Sequence, residues 1–428
     1  MESFLENKKL LIFAGAGITF VFLVVLIIVF GLLKRAAPVT ITYWGLWEPE
    51  SVYSTVITDY QKLHPNVTVK YQMQSGINYR DRLTSALASG NGPDIFRIHN
   101  SWLVMIKSNL APAPADFSNI FYPTVYADLK SGNQLYAVPL EIDTLVMYVN
   151  QDILKAGNVN VPTTWDGDNG LYAVARKLTV RDANGRITTA GAALGNAGNV
   201  DHWQDILGLM MLQSGVDISK DVTSQKAADA LSYYTSFSGG LGTWDETQDP
   251  STLAFSEGKV AFYFGPSWRY FDLKNMNPNL NFTVAPVPQL SGGATVNYAS
   301  YWAEAVSAKS KNQKEAWDFL KYLSSKDVLT KLYAAESKLR LFGEPYSRVD
   351  MASLLSSDPN AGPVMASAKT AKGSILASAT NDGDTGINSK VAKYFTDAVN
   401  SVIRGSDAKQ ALSTVQQGIN QVLGSYAK

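Results

Sequence analysis

Cysteine is absent from the 428 residues of this chain. Its absence excludes disulfide bonds, thiolate metal sites and cysteine nucleophiles, and it also excludes the lipid-modified cysteine that anchors many exported bacterial proteins. Histidine is scarce. The chain has only His64, His99 and His202, and they form no HExxH pair. The sequence also lacks a GxSxG nucleophile elbow and a P-loop. These absences remove the most recognisable signatures of metalloproteases, serine hydrolases and nucleotide-driven enzymes.

An excess of charge of either sign is also missing. Lys plus Arg number 37 and Asp plus Glu number 37, so no overall field attracts the chain to nucleic acid, and we expect no such partner. With 46% apolar and 17% charged residues, the composition is that of a folded globular protein. The length exceeds that of one ordinary core and indicates two packed units with an appendage.

The appendage is at the N-terminus. Residues 10 to 33 form an uninterrupted uncharged run, which as a helix of about 1.5 Å per residue exceeds the roughly 30 Å hydrocarbon thickness of a bilayer. Lys34 and Arg35 stand where a signal-peptide cleavage site needs small residues, and Pro38 also disfavours cleavage. Residues 1 to 37 are therefore predicted to be an uncleaved, single-pass membrane anchor. Basic pairs flank the run on both sides, so charge does not decide its orientation.

Beyond the anchor, strand and helix patterns alternate. Residues 39 to 43 alternate apolar and polar side chains, as a half-buried strand does. Val52, Val56 and Tyr60 then recur at helical spacing, and a second alternating run follows at residues 67 to 71. Strands that alternate with helices predict a parallel α/β sheet.

A second unit follows a candidate hinge. Residues 135 to 150 are a long extended stretch rich in Val, Leu and Tyr, long enough to leave one sheet and enter another. Helical patterns follow at residues 172 to 178, 203 to 214 and 226 to 237, joined by Gly- and Asn-rich turns. We place Trp203, at the start of the second of these helices, in the core of this unit.

Six segments of the chain resemble one protein family. They read ITYWGLWEPE at residues 41 to 50, SGNGPDIFRIHNSW at 89 to 102, LEIDTLVMYVN at 140 to 150, PTTW at 162 to 165, GKVAFYFGPSW at 258 to 268 and NFTVAPVP at 281 to 288. In this order they resemble the family 1 extracellular solute-binding proteins, which include maltose-binding protein. The resemblance extends over nearly all of residues 39 to 428 and is weakest from about residue 340 onward.

This resemblance implies a two-lobed α/β clamp of the periplasmic-binding-protein type, in which hinge strands join the lobes and the ligand is enclosed between them. Residues 38–141 and 306–338 would form lobe I, and residues 142–304 and 339–428 would form lobe II. The implied function is extracytoplasmic capture of a small polar solute, with a carbohydrate as the favoured ligand, for an ABC permease. The protein is expected to be a monomer without cofactor or metal ion, and not an enzyme.

The resemblance also assigns ten residues to the ligand cleft. They are Trp47 and Glu48 after the first strand, Asn100, Ser101 and Trp102 after the third, Asp143 at the hinge, Trp268 beside a sugar-stacking position that Ser267 occupies here, and Tyr301, Trp302 and Glu304 before the second hinge crossing. Sugars present hydroxyl edges and apolar C–H faces, which suit carboxylates, amides and flat aromatic rings. Replacing Trp102 or Asp143 by alanine is therefore expected to weaken ligand binding while the fold survives.

Two alternative functions would use the same cleft. A membrane-anchored carbohydrate-active enzyme would need Glu48 and Asp143 as paired carboxylates, one of them with a raised pKa. A ligand sensor would differ only in its partner. The oxygen-rich segment at residues 381 to 388, NDGDTGIN, lacks the length and terminal Glu of an EF-hand, and we interpret it as a solvated turn.

Overall fold

The computed structural model describes residues 37–239 and 242–426. The predicted membrane anchor lies outside these residues except for its last position. Among the residues that the structure describes, no helix combines the length and the apolar character that crossing a membrane requires.

Strands and helices alternate along most of the chain. The strands are β1 (Val39–Leu46), β2 (Val67–Gln74), β3 (Ile95–His99), β4 (Lys130–Ser131), β5 (Gln134–Leu135), β6 (Ala137–Val138), β7 (Leu145–Asn150), β8 (Val180–Arg181), β9 (Ile187–Ala192), β10 (Val260–Pro266), β11 (Phe282–Ala285), β12 (Asn297–Tyr298), β13 (Trp302–Val306) and β14 (Ala371–Lys372). The α-helices are α1 (Glu50–Leu63), α2 (Tyr79–Ser89), α3 (Leu103–Ile106), α4 (Pro123–Leu129), α5 (Gln151–Gly157), α6 (Leu171–Leu178), α7 (Trp203–Gln213), α8 (Gln225–Thr235), α9 (Ser251–Ser256), α10 (Arg269–Met276), α11 (Gln313–Leu323), α12 (Lys326–Glu336), α13 (Ala361–Ala368), α14 (Ile387–Ile403) and α15 (Ala408–Gly424). Short 3₁₀ helices are Asn100–Trp102, Lys107–Asn109, Ala115–Phe117 and Val349–Leu354.

The first sheet has the strand order β2-β1-β3-β13-β6. Strand β1 lies parallel to β2 and β3, and β13 runs antiparallel to β3. Val52, Val56 and Tyr60 of α1 are buried in the same hydrophobic core as Ile41 and Tyr43 of β1, because residues three to four apart share one helix face. The β–α–β unit predicted at the start of the body is confirmed.

The second sheet has the order β11-β7-β10-β9-β8. Strand β7 lies between β10 and β11 and runs antiparallel to both, whereas β9 is parallel to β10. Trp203 is buried in the core around this sheet, as its place at the start of an apolar helix predicts. The protein therefore has two α/β lobes, each with its own sheet and its own core.

Three described segments connect the lobes. The first leads from β6 to β7, the second from β12 to β13, and the third from β14 toward α14. The segments are hydrogen-bonded to one another: Ser300 N donates to the Asp143 carbonyl at 3.2 Å, and Ala299 N donates to the Lys372 carbonyl at 3.0 Å. The first crossing lies within the stretch of residues 135 to 150 that the sequence marks as a hinge. These bonded crossings form the base of a cleft between the lobes.

The C-terminal part of the chain is shared between the two cores. The predicted boundaries assign residues 339–428 to lobe II. The buried side chains of Tyr346, Met351 and Met365 belong to the core of lobe I, whereas α14 and α15 supply buried side chains to the core of lobe II. Since apolar burial stabilises each core, we propose that the last crossing lies near residue 371 and not near residue 339.

Candidate ligand-binding site

A cavity of about 550 Å³ lies between the two lobes. Its lining residues are Trp47, Gly76, Ile77, Glu141, Asp143, Asp205, Pro266, Trp268, Phe271, Asp272, Ser300, Tyr301, Trp302, Arg340, Glu344, Ser378, Ala379 and Asn381. Small-molecule sites typically measure roughly 300–1,000 Å³. A ligand in this cavity would contact both lobes and the crossing segments between them.

Three tryptophans supply flat apolar surface to the cavity wall. Trp47 follows β1 with a φ of 59° and remains 47% exposed. Its ring meets the ring of Trp302 edge-on, with 5.7 Å between the ring centroids. In the other lobe, the guanidinium carbon of Arg269 lies 4.5 Å from the centroid of the Trp268 ring. Both lobes therefore offer aromatic surface, which suits the C–H face of a sugar.

Asp143 places a carboxyl group at the first crossing between the lobes, where it is only 5% exposed. Its carboxyl oxygens accept the backbone N–H of Thr144 at 2.7 Å and that of Ser267 at 3.2 Å. Burial, with a smaller contribution from the negative charge of Glu344, raises the pKa of Asp143 to about 8. At neutral pH this carboxyl group is mostly protonated, so it can both donate to a ligand hydroxyl and accept from one.

The remaining polar wall of the cavity is mostly acidic. Glu141, Asp205, Asp272 and Glu344 contribute carboxylates, and Arg340 contributes a guanidinium. The Arg340 guanidinium lies 2.6 Å from the Glu344 carboxylate, while Asp205 accepts the backbone N–H of Ser378 at 2.8 Å. These bonds hold the polar side chains in place, as a site that recognises hydroxyl groups requires.

The structure brings five of the ten predicted residues to this cavity, namely Trp47, Asp143, Trp268, Tyr301 and Trp302. Asn100 and Ser101 line a second cavity, of about 510 Å³. Asn100 is buried there and donates to the Asp128 carboxylate at 2.9 Å. Glu48, Trp102 and Glu304 line neither cavity and are buried inside lobe I.

A buried arginine explains why two of the predicted carboxylates lie inside lobe I. The Arg97 guanidinium donates through Nη1 to Glu48 at 2.8 Å, through Nη2 to Glu141 at 3.0 Å and through Nε to Glu304 at 2.8 Å. We call these four residues the Arg97 cluster. A carboxylate after a strand lies near the cleft, but a buried guanidinium needs such partners, because an unpaired buried charge is very costly. Glu48 and Glu304 are therefore paired with Arg97 inside lobe I and line neither cavity.

Trp102 is held inside lobe I by aromatic packing. Its ring stacks on Tyr79 with 6.1 Å between centroids and meets Trp302 edge-on at 5.4 Å. The side chain has no exposed surface. The prediction that a sugar stacks on Trp102 therefore does not fit this geometry. Trp102 contacts Trp302 but does not line the cavity, and Trp302 is the ring that reaches it.

The comparison with known families agrees with this architecture. The family described as bacterial extracellular solute-binding protein matches residues 46–329, more than half of the chain. The chain belongs to this family. The resemblance predicted from the six sequence segments is thereby confirmed, and the matched range contains the strands of both sheets apart from most of β1.

Individual relatives share the fold at low sequence identity. The multiple sugar-binding protein of Streptococcus mutans is 23% identical over 318 residues, which cover 69% of this chain and 73% of that protein. The structure of the cyclic α-maltosyl-1,6-maltose binding protein from Arthrobacter globiformis matches with a TM-score of 0.73 and 18% identity, covering 91% of this chain and all of that one. The sugar-binding protein MalE from Xanthomonas citri matches with a TM-score of 0.72 and 18% identity, covering 90% of this chain and 98% of that one. These structures show the two-lobed fold, and all three relatives are binding proteins by description.

Several cavity residues were not predicted from the sequence. Glu141 is two residues before Asp143 in the hinge segment, so its position in the chain could have suggested it. Arg340 and Glu344 come from the region where the family resemblance is weakest, as do residues 378–381. Nothing in the local sequence around them indicates a cleft. The segment of Glu344 lies against the first crossing, where Ile142 N donates to the Pro345 carbonyl at 2.9 Å, and residues 378–381 follow the third crossing.

The contribution of Asp143 and Glu48 to the stability of the folded chain is expected to fall as the pH rises from about 4 to about 8. Burial raises the pKa of Asp143 from 3.8 to about 8, and burial raises that of Glu48 from 4.5 to about 7 although Arg97 opposes this shift. Below both ordinary values the folded and unfolded states are equally protonated, and the stabilising contribution is fully present. As the pH rises, the unfolded chain loses these protons first, so the contribution is lost up to the folded-state pKa values.

Chemical unfolding near pH 5 and near pH 8.5 checks this expectation in the parent and in Asp143→Asn. Over this interval the parent should lose at least about 1 kcal/mol more stability than the variant, because Asn does not titrate. An identical pH dependence of the two proteins would show that Asp143 is not a source of the effect.

Proposed function

We propose that this protein captures a carbohydrate in the cavity between its lobes and delivers it to a membrane permease of the ABC type. The observation that carries this proposal is the combination of Trp47, Trp268 and Trp302 with the buried carboxyl group of Asp143 in one cavity. The rings match the C–H faces of a sugar, and the carboxyl group matches its hydroxyl edge. The descriptions of the relatives, which name sugars as their ligands, support the same chemistry.

We further propose that the lobes lie outside the cytoplasm and that residues 1–37 anchor the chain to the membrane as a single-pass helix. The family to which the chain belongs is extracellular by its description. An anchor would hold the lobes close to the permease that receives the ligand and so raise their effective concentration there. The chain would act as a monomer and without a cofactor, since the cavity is built from the two lobes of one chain.

Binding without catalysis is favoured by the position of Glu48. The hydrolytic alternative pairs Glu48 with Asp143, but Glu48 does not line the cavity and its carboxylate accepts a hydrogen bond from Arg97. A general acid must reach the glycosidic oxygen of the substrate. Glu48 is therefore unsuited to that role in this arrangement.

A carbohydrate panel tests the proposal. We expect that at least one glucose-, mannose- or N-acetylglucosamine-based mono- or oligosaccharide raises the melting temperature of the full chain in mild detergent. A ligand at 100 times its Kd would add about 2.7 kcal/mol of stability. If amino acids or peptides raise the melting temperature and no carbohydrate does, the proposed ligand class is wrong.

Trp268→Ala is expected to weaken binding of the selected carbohydrate by about 1–3 kcal/mol, or roughly 5- to 150-fold, because it removes the stacking surface of lobe II. Calorimetric titration of the purified variant measures this change. The matched control is Trp44→Ala, which removes a tryptophan that does not line the cavity and whose indole N–H donates to Gln72. The control should bind like the parent, and equal losses in both variants would argue against a direct contact by Trp268.

A further inference from the structure

His202 lies directly behind the cavity wall in an unusual backbone conformation. It immediately precedes α7 with a φ of 60°. Few residues other than Gly adopt this left-handed region, and His, Asn and Asp are the ones enriched there. The side chain is 5% exposed, and both of its ring nitrogens have hydrogen-bond partners. Its ring is therefore fixed.

The direction of each hydrogen bond around this ring can be assigned. Arg269 Nε carries a hydrogen and cannot accept, so it donates to His202 Nε2 at 2.8 Å. Nε2 must then be unprotonated, and the ring proton of the neutral imidazole is on Nδ1. Nδ1 donates to Ser378 Oγ at 2.6 Å, and Ser378 Oγ in turn donates to Asp205 Oδ2 at 2.5 Å. The chain of donors runs in one direction from Arg269 to Asp205.

This chain connects three parts of the cavity wall. Arg269 lies over the Trp268 ring, and its Nη1 donates to the Asp272 carboxylate at 2.8 Å. The His202 ring also meets the Trp268 ring edge-on, with 5.7 Å between centroids. Trp268, Asp272, Asp205 and Ser378 all line the cavity, whereas His202 does not. One imidazole thus fixes the positions of the aromatic and the acidic side chains of the cavity wall relative to one another.

We propose that His202 is a positioning residue of the ligand cavity, which holds Trp268 through Arg269 and Asp205 through Ser378. This inference rests on the proposed carbohydrate-binding function. The charged groups around the ring are Asp205 on its own helix α7 and Arg269 and Asp272 on α10. The carboxylate of Asp205 lies 3.6 Å from Nδ1.

Nitrogen-15 NMR of the full chain in detergent, labelled at histidine, tests the arrangement without any ligand. The chain has three histidines, so assignment needs only His64→Asn and His202→Asn. We expect His202 to be the Nδ1–H tautomer near pH 7.5, and Arg269→Met to change its Nε2 resonance. A His202 ring protonated on Nε2 at this pH would overturn the proposal, whether or not a carbohydrate has been found.

Ligand titration tests the consequence for binding. Asn tolerates a positive φ and can donate to Ser378, but it cannot reach Arg269, so His202→Asn should lose the hydrogen bond with Arg269 and the ring contact with Trp268. We expect His202→Asn and Arg269→Met each to weaken binding of the selected carbohydrate about fivefold or more, and the double variant to be no weaker than the poorer single variant. His64→Asn, which changes a histidine distant from this hydrogen-bonded chain, should bind like the parent. Additive losses, or binding by His202→Asn as tight as that of the parent, would overturn the positioning role while leaving carbohydrate binding itself intact.

Discussion

Replacing Arg97 by methionine is expected to lower the free energy of unfolding by about 3–5 kcal/mol near neutral pH. Arg97 is the shared partner of Glu48, Glu141 and Glu304, with donor–acceptor distances of 2.8 to 3.0 Å. Methionine fills much of the same volume, so the loss would come from the carboxylates and not from a large void. Without the guanidinium, these buried groups must take up protons or draw water into lobe I.

Urea unfolding of the parent and of Arg97→Met measures this loss. It should be smaller near pH 5 than near pH 7.5, because protonated carboxyl groups need no cation. The control is Lys331→Met, which removes the partner of Asp59 from an exposed ion pair of 2.8 Å, and which should cost no more than about 1 kcal/mol. A loss below that of the control would mean that the Arg97 cluster contributes little to stability.

Trp102→Ala is expected to destabilise the fold by about 3–5 kcal/mol, as truncation of a fully buried tryptophan does. This result replaces the expectation from sequence that the fold survives and only ligand binding suffers. The ring has no exposed surface and packs against Tyr79 and Trp302. Its removal would leave a large cavity behind Trp302.

Denaturant unfolding of Trp102→Ala and Trp47→Ala separates the two kinds of tryptophan. Trp47 is 47% exposed at the cavity, so its truncation should cost less than about 1 kcal/mol of stability and should act on ligand affinity instead. If Trp102→Ala unfolds at the same denaturant concentration as the parent, then Trp102 does not belong to the core of lobe I.

Local patterns in the sequence predict the fold where neighbouring residues determine the structure. The spacing of Val52, Val56 and Tyr60 sets the buried face of α1, and the extended run that includes Asp143 forms the first crossing. The predicted boundary near residue 339 differs from the packing, because the distribution of residues 339–371 between two cores depends on contacts with segments distant in the chain.

The candidate site was predicted only in part for a similar reason. A position after a strand places a residue near the cleft, but it does not determine whether the side chain faces the ligand or the core. Glu48 and Glu304 turn inward to Arg97, and Trp102 turns inward to Tyr79. A signal was present in the sequence: Arg97 is a charged residue between the apolar residues Phe96 and Ile98 of β3, and such a buried residue requires partners of opposite charge.

The central claim is that a carbohydrate binds between the lobes, and a crystal structure of the chain with the carbohydrate selected by the panel tests it most directly. We predict a sugar ring packed against Trp268 or Trp302, with a hydroxyl group hydrogen-bonded to the carboxyl group of Asp143. A sugar found in the second cavity beside Asn100, or outside both cavities, would contradict the claim.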